Sequence, residues 1–245
     1  MSIMTKHQRF IETSMFEELQ KAVVAISASK GEMEYYPLRD YYMQSMFLRL
    51  TGFQEQKLKC ICWDIATYDY DYRRRLLNNE DRLGECSSLE AKSKLYKTIL
   101  KKIAEFENKN LDNFKIDCYT DKKAIANNSQ NELKNIFSKT IFQYWFPRDF
   151  QYFNNHTLFK PQNFANNGLL EENLTIIYDL LYAQRNRLAH NTLSYQENVP
   201  TLRTLSESKV ERTNYFVWFA LLNLIDKTFI ELYRIYFEAF NRSQY

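Results

Sequence analysis

The chain has 245 residues, of which 45% are hydrophobic and 16% aromatic, enough apolar material for a sizeable core. It contains only four glycines and four prolines, so few tight turns can be built and long regular elements must dominate. This composition excludes turn-rich sandwiches and barrels and predicts an all-α fold. The net charge of +3 permits a nucleic-acid partner without requiring one.

The sequence shows no pattern typical of a targeting or membrane segment. Residues 1–11 have no apolar core, and the most apolar run, residues 215–225, is too short to span a bilayer. The spacing of the cysteines matches neither a disulfide framework nor a zinc site. The cysteines are Cys60, Cys62, Cys86 and Cys118. We therefore expect a soluble cytoplasmic protein with reduced thiols, no bound metal, no cofactor and no membrane partner.

The first helix is predicted from a capping signal and the apolar residues behind it. Thr5 and Gln8 have the spacing of a capping box, and apolar residues follow at helical intervals. Gly31 lies where a helix stop is expected. Together these signals predict a helix over about residues 6–28.

A much longer apolar pattern follows. Pro37 can begin a helix, and apolar residues continue at helical spacing to about residue 76. This predicts either one very long helix or two helices that break near Gly52. Tyrosines alternate with aspartates over residues 68–72 as in a strand, but the helical flanks favour a helix there.

The middle of the chain combines two capping signals with a polar stretch. Residues 87–90 form a capping box in front of apolar residues at helical spacing. Residues 108–128 are rich in Asn, Asp and Lys, which predicts a loop with a short extended piece around residues 114–119. Residues 129–132 then cap a further helix, which Pro147 ends.

The two clearest helices are predicted in the last third of the chain. Apolar spacing indicates one helix over about residues 169–190 and another over about residues 209–240. We interpret residues 1–245 as one domain, a bundle of long antiparallel helices with an irregular insert over about residues 108–168. The last helix is apolar around much of its circumference, so we expect it to line the core and a two-fold interface.

A compact polar set lies at the end of the helix that precedes the last one, in the sequence RNRLAH at residues 185–190. Asn186 and His190 are four residues apart and share a helix face, which the long Arg185 side chain can reach. His190 can accept the proton of a 2′-hydroxyl, because the unperturbed histidine pKa lies near neutral pH. Arg185 can bind phosphate oxygens, and Asn186 can orient the phosphate or fix the histidine tautomer. The pattern favours RNA cleavage in which no metal is required.

Two other interpretations account for the same residues. Arg and His near a helix C-terminus also interact favourably with the negative end of the helix dipole, without further function. The three polar residues can equally form a buried network in an interaction scaffold. Additional arginines can supply RNA backbone contacts or form a solvated helix face. These arginines are Arg73, Arg74, Arg75 and Arg187.

The segment at residues 185–190 resembles the Arg-x(4–6)-His signature of HEPN domains, in which Asn or another polar residue commonly follows the Arg. The specific match covers only residues near 170–195. The resemblance implies a helical bundle that dimerises so that two motifs face one cleft. It also implies metal-independent cleavage that leaves a 2′,3′-cyclic phosphate. By position, it assigns the catalytic pair to Arg185 and His190, with Asn186 in support.

The resemblance also implies a biological setting. HEPN proteins include toxins of toxin–antitoxin pairs, phage-defence proteins and CRISPR effector nucleases, so we expect a toxin or antiphage endoribonuclease with an antitoxin or regulatory partner. Some of these toxins carry a modified tyrosine two residues after the histidine, where this chain has Thr192 and its nearest tyrosine is Tyr195. Neutralisation by that route is therefore not expected. Because some HEPN domains bind without cutting, the alternative is a non-catalytic dimer that binds RNA or protein.

Overall fold

We describe the protein from a computed structural model, which covers residues 5–28, 36–78, 85–159, 168–190 and 214–243. Within these ranges the description omits the side chains of residues 36, 37, 111–121, 172 and 190. All regular elements in the described ranges are helical, and no strand occurs among them, which confirms the all-α prediction. The helices are α1 Lys6–Glu12, α2 Met15–Ala28, α3 Tyr36–Tyr68, α4 Tyr70–Leu77, α5 Leu89–Phe106, α6 Leu111–Phe137, α7 Ile141–Trp145, α8 Pro147–Asn155, α9 Glu172–His190 and α10 Tyr215–Ser243.

The last helix, α10, forms the centre of the bundle. Every residue from Phe216 to Asp226 is buried, and α10 contacts α2, α3, α5, α6, α8 and α9. A helix surrounded on all sides needs apolar residues around its whole circumference, as this sequence provides. The prediction that the last helix lines the core is confirmed. Phe216–Asp226 leaves no exposed face for a two-fold interface, so a dimer, which stays a prediction, would have to use another surface. None of the described helices is long and apolar enough to cross a bilayer.

The bundle is not antiparallel throughout. The ring of Phe47 lies 5.4 Å from that of Trp218, and the ring of Tyr68 lies 4.8 Å from that of Phe240. Residue numbers therefore rise together along α3 and α10, which are parallel, and ring contacts show the same direction for α5. By contrast, α6 runs against α10. The same direction holds for α9, because Gln184 contacts Tyr215 while Leu181 lies beside Leu222. The antiparallel prediction is wrong for α3 and α5 because apolar spacing along a helix does not encode its direction.

The single first helix predicted over residues 6–28 is replaced by α1 and α2. The predicted capping box is present, but the backbone becomes extended at Thr13. There the Lys57 ammonium donates to the Thr13 carbonyl at 2.6 Å, and the Met15 amide donates to the Asp226 carboxylate at 3.0 Å. Two contacts distant in sequence thus stabilise the break, and no local pattern could reveal them.

The second predicted helix is continuous through Gly52. A Cβ at that position would meet nothing within 4 Å, so the helix has no steric reason to break there. The break falls instead at Asp69, whose side chain accepts the Tyr72 amide and caps α4. The following helix, α4, turns back on α3, because Tyr72 lies beside Cys62.

The irregular insert predicted over about residues 108–168 is wrong for most of its length. One helix, α6, covers Leu111–Phe137, so the Asn-rich stretch is helical and residues 129–132 lie inside the helix. Pro147 begins α8 rather than ending a helix, a position that its missing amide proton suits. Burial of α6 against α10 outweighs the low helix propensity of Asn and Asp. Residues 160–167 lie outside the described ranges.

Candidate functional site

Arg185 is held by two side chains near the end of α9. Its guanidinium donates to the Glu55 carboxylate and to the Asn186 side-chain oxygen, each at 3.1 Å and from different terminal nitrogens. The Arg185 side chain is 24% exposed. The two contacts fix the orientation of the guanidinium. Because a guanidinium carries five N–H donors, further donors can still bind an anion.

Glu55, on α3, belongs to the site although sequence analysis missed it. Its carboxylate also accepts from the Lys59 ammonium at 2.7 Å, so charges alternate from Arg185 through Glu55 to Lys59. The pairing of Glu55 and Lys59 is visible in the sequence as an i,i+4 spacing. The contact between Glu55 and Arg185 joins two helices far apart in the chain, and no local spacing signals it.

The structure brings together only part of the predicted catalytic set. Asn186 contacts Arg185 as described above, whereas the side chain of His190, the last residue of α9, lies outside the described part. The joint action of Arg185 and His190 therefore stays a prediction. Arg187 lies near Tyr215 rather than Glu55, and its buried Nε has no hydrogen-bond partner among the described residues. Thr192 and Tyr195 fall outside the described ranges.

A small cavity lies beneath Arg185. Its volume is about 10 Å³, and its walls include Gln54, Glu55, Lys92, Tyr178 and Arg185. A space of roughly this size holds about one water molecule. The buried Oε1 of Gln54 has no partner among the described residues, so a single ordered water fits this cavity chemically. A nucleotide does not fit in this cavity, so a ligand of that size could reach Arg185 only from the outer surface.

Lys92, on α5, is a buried cation behind Arg185. It is 2% exposed, donates to the Cys86 carbonyl, and lies 5.8 Å from the ring centroid of Tyr178. Burial, with a smaller contribution from the nearby Arg185, lowers the pKa of Lys92 to about 8, while Cys86 and Glu55 oppose the shift. The sequence carried a signal for this burial, because Lys92 falls on the apolar stripe of α5.

The pH dependence of stability should report the buried Lys92. Since its pKa is lower in the folded chain than in the unfolded chain, the unfolded chain binds more protons above pH 8, and folding gains stability as pH rises. We expect the free energy of unfolding of the wild type, relative to Lys92→Met, to rise by about 2 kcal/mol between about pH 7.5 and about pH 9.5. Urea denaturation of both proteins at each pH measures this difference. A difference that does not change with pH would contradict a depressed Lys92 pKa.

The predicted basic run lies on α4, and no described contact joins it to Arg185. Arg73 and Arg74 are exposed, whereas Arg75 is half-buried and its Nε has no described hydrogen-bond partner. Tyr72, on the opposite face of α4, is buried beside Cys86, whose carbonyl accepts from Lys92. Through Cys86, the basic helix α4 therefore packs close to the residues behind Arg185.

No disulfide joins the described cysteines. The sulfur atoms of Cys62 and Cys86 lie 4.0 Å apart, within hydrogen-bonding distance, and Cys60 is half-buried. The side chain of Cys118 lies outside the description. Across the described ranges, no three His, Cys, Asp or Glu side chains form a group that could hold a metal ion.

Comparison with known proteins does not assign a family. No family model, no curated protein and no solved structure matches this chain. The resemblance of residues 185–190 to the HEPN signature therefore stays a prediction. The functional assignment depends on the chemistry and geometry of the residues around Arg185.

Proposed function

We propose that the protein is a HEPN-type, metal-independent endoribonuclease whose catalytic set is Arg185, Asn186 and His190. One observation carries the proposal: Glu55 and Asn186 orient the partly exposed Arg185 guanidinium on a helix that ends at His190. A guanidinium oriented in advance stabilises developing charge on a phosphate without reorganising during the reaction.

The proposed reaction uses a nucleophile that the RNA supplies. His190 takes the proton of a 2′-hydroxyl, the 2′-oxygen forms a bond to phosphorus, and the bond to the 5′-oxygen breaks. The departing 5′-oxygen takes up a proton from solvent, and His190 returns its proton to solvent, so the products are a 2′,3′-cyclic phosphate and a 5′-hydroxyl. Arg185 binds the non-bridging oxygens as their negative charge grows, while Asn186 holds Arg185 in place.

The proposal includes an assembly and a setting. The protein acts as a homodimer in which two copies of the motif face one cleft, and an antitoxin or regulatory partner restrains it. Its role is that of a cytoplasmic toxin or antiphage effector. Light scattering at micromolar concentration tests the dimer, and a purely monomeric protein would contradict the composite site.

The function is tested with purified protein, tRNA and mRNA in buffer containing EDTA. We expect cleavage that EDTA does not reduce and products that end in 2′,3′-cyclic phosphate. The matched control is the Arg185→Ala/His190→Ala double variant, confirmed as folded by circular dichroism. Equal cleavage by the two proteins would assign the activity to another site or to a contaminant.

The ion pair of Arg185 with Glu55 favours a second candidate, a non-catalytic dimer that binds RNA or protein. A carboxylate at 3.1 Å already offsets the Arg185 charge, which suits a structural role for the arginine. In that case the wild type binds RNA without producing new ends, and the double variant binds RNA as the wild type does.

The exposed arginines of α4 should contribute salt-dependent affinity for RNA. No described ion pair involves Arg73 or Arg74, so both can release counterions from RNA phosphates. Arg73→Gln/Arg74→Gln should weaken binding and reduce the slope of log affinity against log salt by roughly 1.4, at about 0.7 per phosphate contact on a single strand. A binding titration with a labelled oligoribonucleotide at several salt concentrations measures this slope.

A second pair of exposed cations provides the control for this prediction. Lys139 and Arg148 flank α7, and both are exposed. The backbone carbonyl of Trp145 in α7 accepts from Arg39 at 3.2 Å, which places α7 roughly 24 Å along α3 from Glu55. Lys139→Gln/Arg148→Gln should leave the slope unchanged. An equal loss of slope in both double variants would show that only the total charge of the protein matters.

A further inference from the structure

The outward face of α4 carries an aromatic residue and two cations. Tyr70 is 67% exposed, and the guanidinium carbon of Arg73 lies 5.5 Å from its ring centroid. Arg74 follows on the same face, and Leu77, one turn further, is 65% exposed. Residues at positions i, i+3, i+4 and i+7 share one side of a helix, so these four side chains form one surface, here called the Tyr70 face.

Buried contacts on the inner side of α4, opposite the Tyr70 face, connect this helix to the candidate site. Tyr72, on the inner side of α4, is buried beside Cys62 and Cys86. The Cys86 carbonyl accepts from Lys92, which lines the cavity beneath Arg185. A chain of buried contacts therefore connects the inner side of α4 to the wall of the cavity beneath Arg185.

We propose that the Tyr70 face binds an unpaired base of single-stranded RNA, an inference that rests on the proposed RNA-directed function. Each base has a flat face that stacks on an exposed aromatic ring, and a guanidinium beside the ring adds a cation–π contribution. Arg73 and Arg74 supply positive charge for the phosphates that flank the base. The same turn of α4 also carries an acidic residue, the exposed Asp71.

The substrate class follows from the same geometry. In a duplex each base is stacked between its neighbours and cannot offer its face to Tyr70, whereas in a single strand it can. We infer that the enzyme selects unpaired RNA, such as a loop or an unstructured message. The Tyr70 ring carries no charge, so its contribution must be independent of salt, unlike that of Arg73 and Arg74.

The test uses the full chain as the Arg185→Ala/His190→Ala variant, so that binding is measured without cleavage. Tyr70→Ala and Tyr70→Trp are compared in this background, with Tyr144→Ala as the matched control because Tyr144 on α7 is 71% exposed and distant from α4. The probes are a labelled, unstructured oligoribonucleotide and a blunt RNA duplex of the same length.

Tyr70→Ala should weaken single-strand binding about 10-fold, with an unchanged salt slope. Tyr70→Trp should bind as tightly as the parent, and duplex binding should not change.

Several outcomes would overturn the inference. These are unchanged single-strand affinity in Tyr70→Ala, an equal loss for single strand and duplex, an equal loss in Tyr144→Ala, or no binding by the parent. Loss of dimer in Tyr70→Ala by light scattering would assign the face to a second copy of the chain. Cleavage by the wild type is measured separately. If the wild type cleaves RNA but Tyr70→Ala leaves single-strand affinity unchanged, only this inference is contradicted. If Tyr70→Ala weakens single-strand binding but the wild type does not cleave RNA, only the nuclease proposal is contradicted.

Discussion

Arg185→Ala and His190→Ala are each expected to lower the rate of RNA cleavage by roughly 10²-fold or more, because each removes a group that acts mainly in the transition state. Arg185 offsets the charge that develops on the phosphate oxygens, and His190 transfers the proton. Single-turnover assays on a labelled oligoribonucleotide measure the chemical step without contributions from product release.

Arg185→Lys separates charge from geometry in the same assay. Lysine keeps the charge but cannot donate from two nitrogens to Glu55 and Asn186 at once, so it should not restore the rate. Both alanine variants should stay folded, because the Arg185 side chain is partly exposed and His190 is the last residue of α9. Wild-type rates in both would exclude this site as the catalytic centre.

The fold class was predictable because helical periodicity extends over most of the chain. Capping at Thr5 was also predictable, since the cap depends on residues three positions apart. The capping box predicted over residues 87–90 is wrong in detail, because Ser88 caps α5 alone by accepting from the Ala91 amide. The break at Thr13 and the helicity of residues 111–137 were not predictable. Both depend on tertiary contacts, the first with Lys57 and Asp226 and the second with α10.

The candidate site was predictable only as a local motif. The sequence places Arg185, Asn186 and His190 within one turn and a half of helix. In the structure Arg185 donates to Asn186, a contact that was not predicted. Glu55 is separated from Arg185 by much of the chain, so its contribution could not be predicted. The burial of Lys57 and Lys92 was partly predictable, because each lysine interrupts an apolar stripe of its helix. The stripe does not reveal which residue each lysine contacts.

The buried pair of Lys57 and Asp226 fixes how α3 is rotated against α10. Both side chains are 0% exposed, and their charged atoms lie 2.5 Å apart. Burial lowers the pKa of Lys57 and raises that of Asp226, while each charge opposes the shift of the other. Residues two apart point to nearly opposite sides of a helix, so Lys57 facing α10 turns Glu55 away from α10 and towards α9. The pair thus connects the core to the orientation of Arg185.

Asp226→Asn is expected to lower the free energy of unfolding by about 3–5 kcal/mol, because it leaves the Lys57 ammonium buried without a counter-charge. The asparagine keeps the side-chain shape but has one oxygen for the two donors, the Met15 amide and the Lys57 ammonium, so the loss combines a missing charge with a missing acceptor. The loss should shrink as pH rises towards about 10, since an unpaired buried lysine folds more easily when neutral.

Lys57→Met/Asp226→Leu should recover most of the stability, because it removes both charges together. Urea denaturation measures all three proteins. The control is Glu18→Gln, which removes the charge that pairs with the exposed Lys21 and Arg49 and should cost at most about 1 kcal/mol. If Asp226→Asn lowers the free energy of unfolding no more than Glu18→Gln does, water must reach Lys57. Packing alone would then set the rotation of α3 against α10.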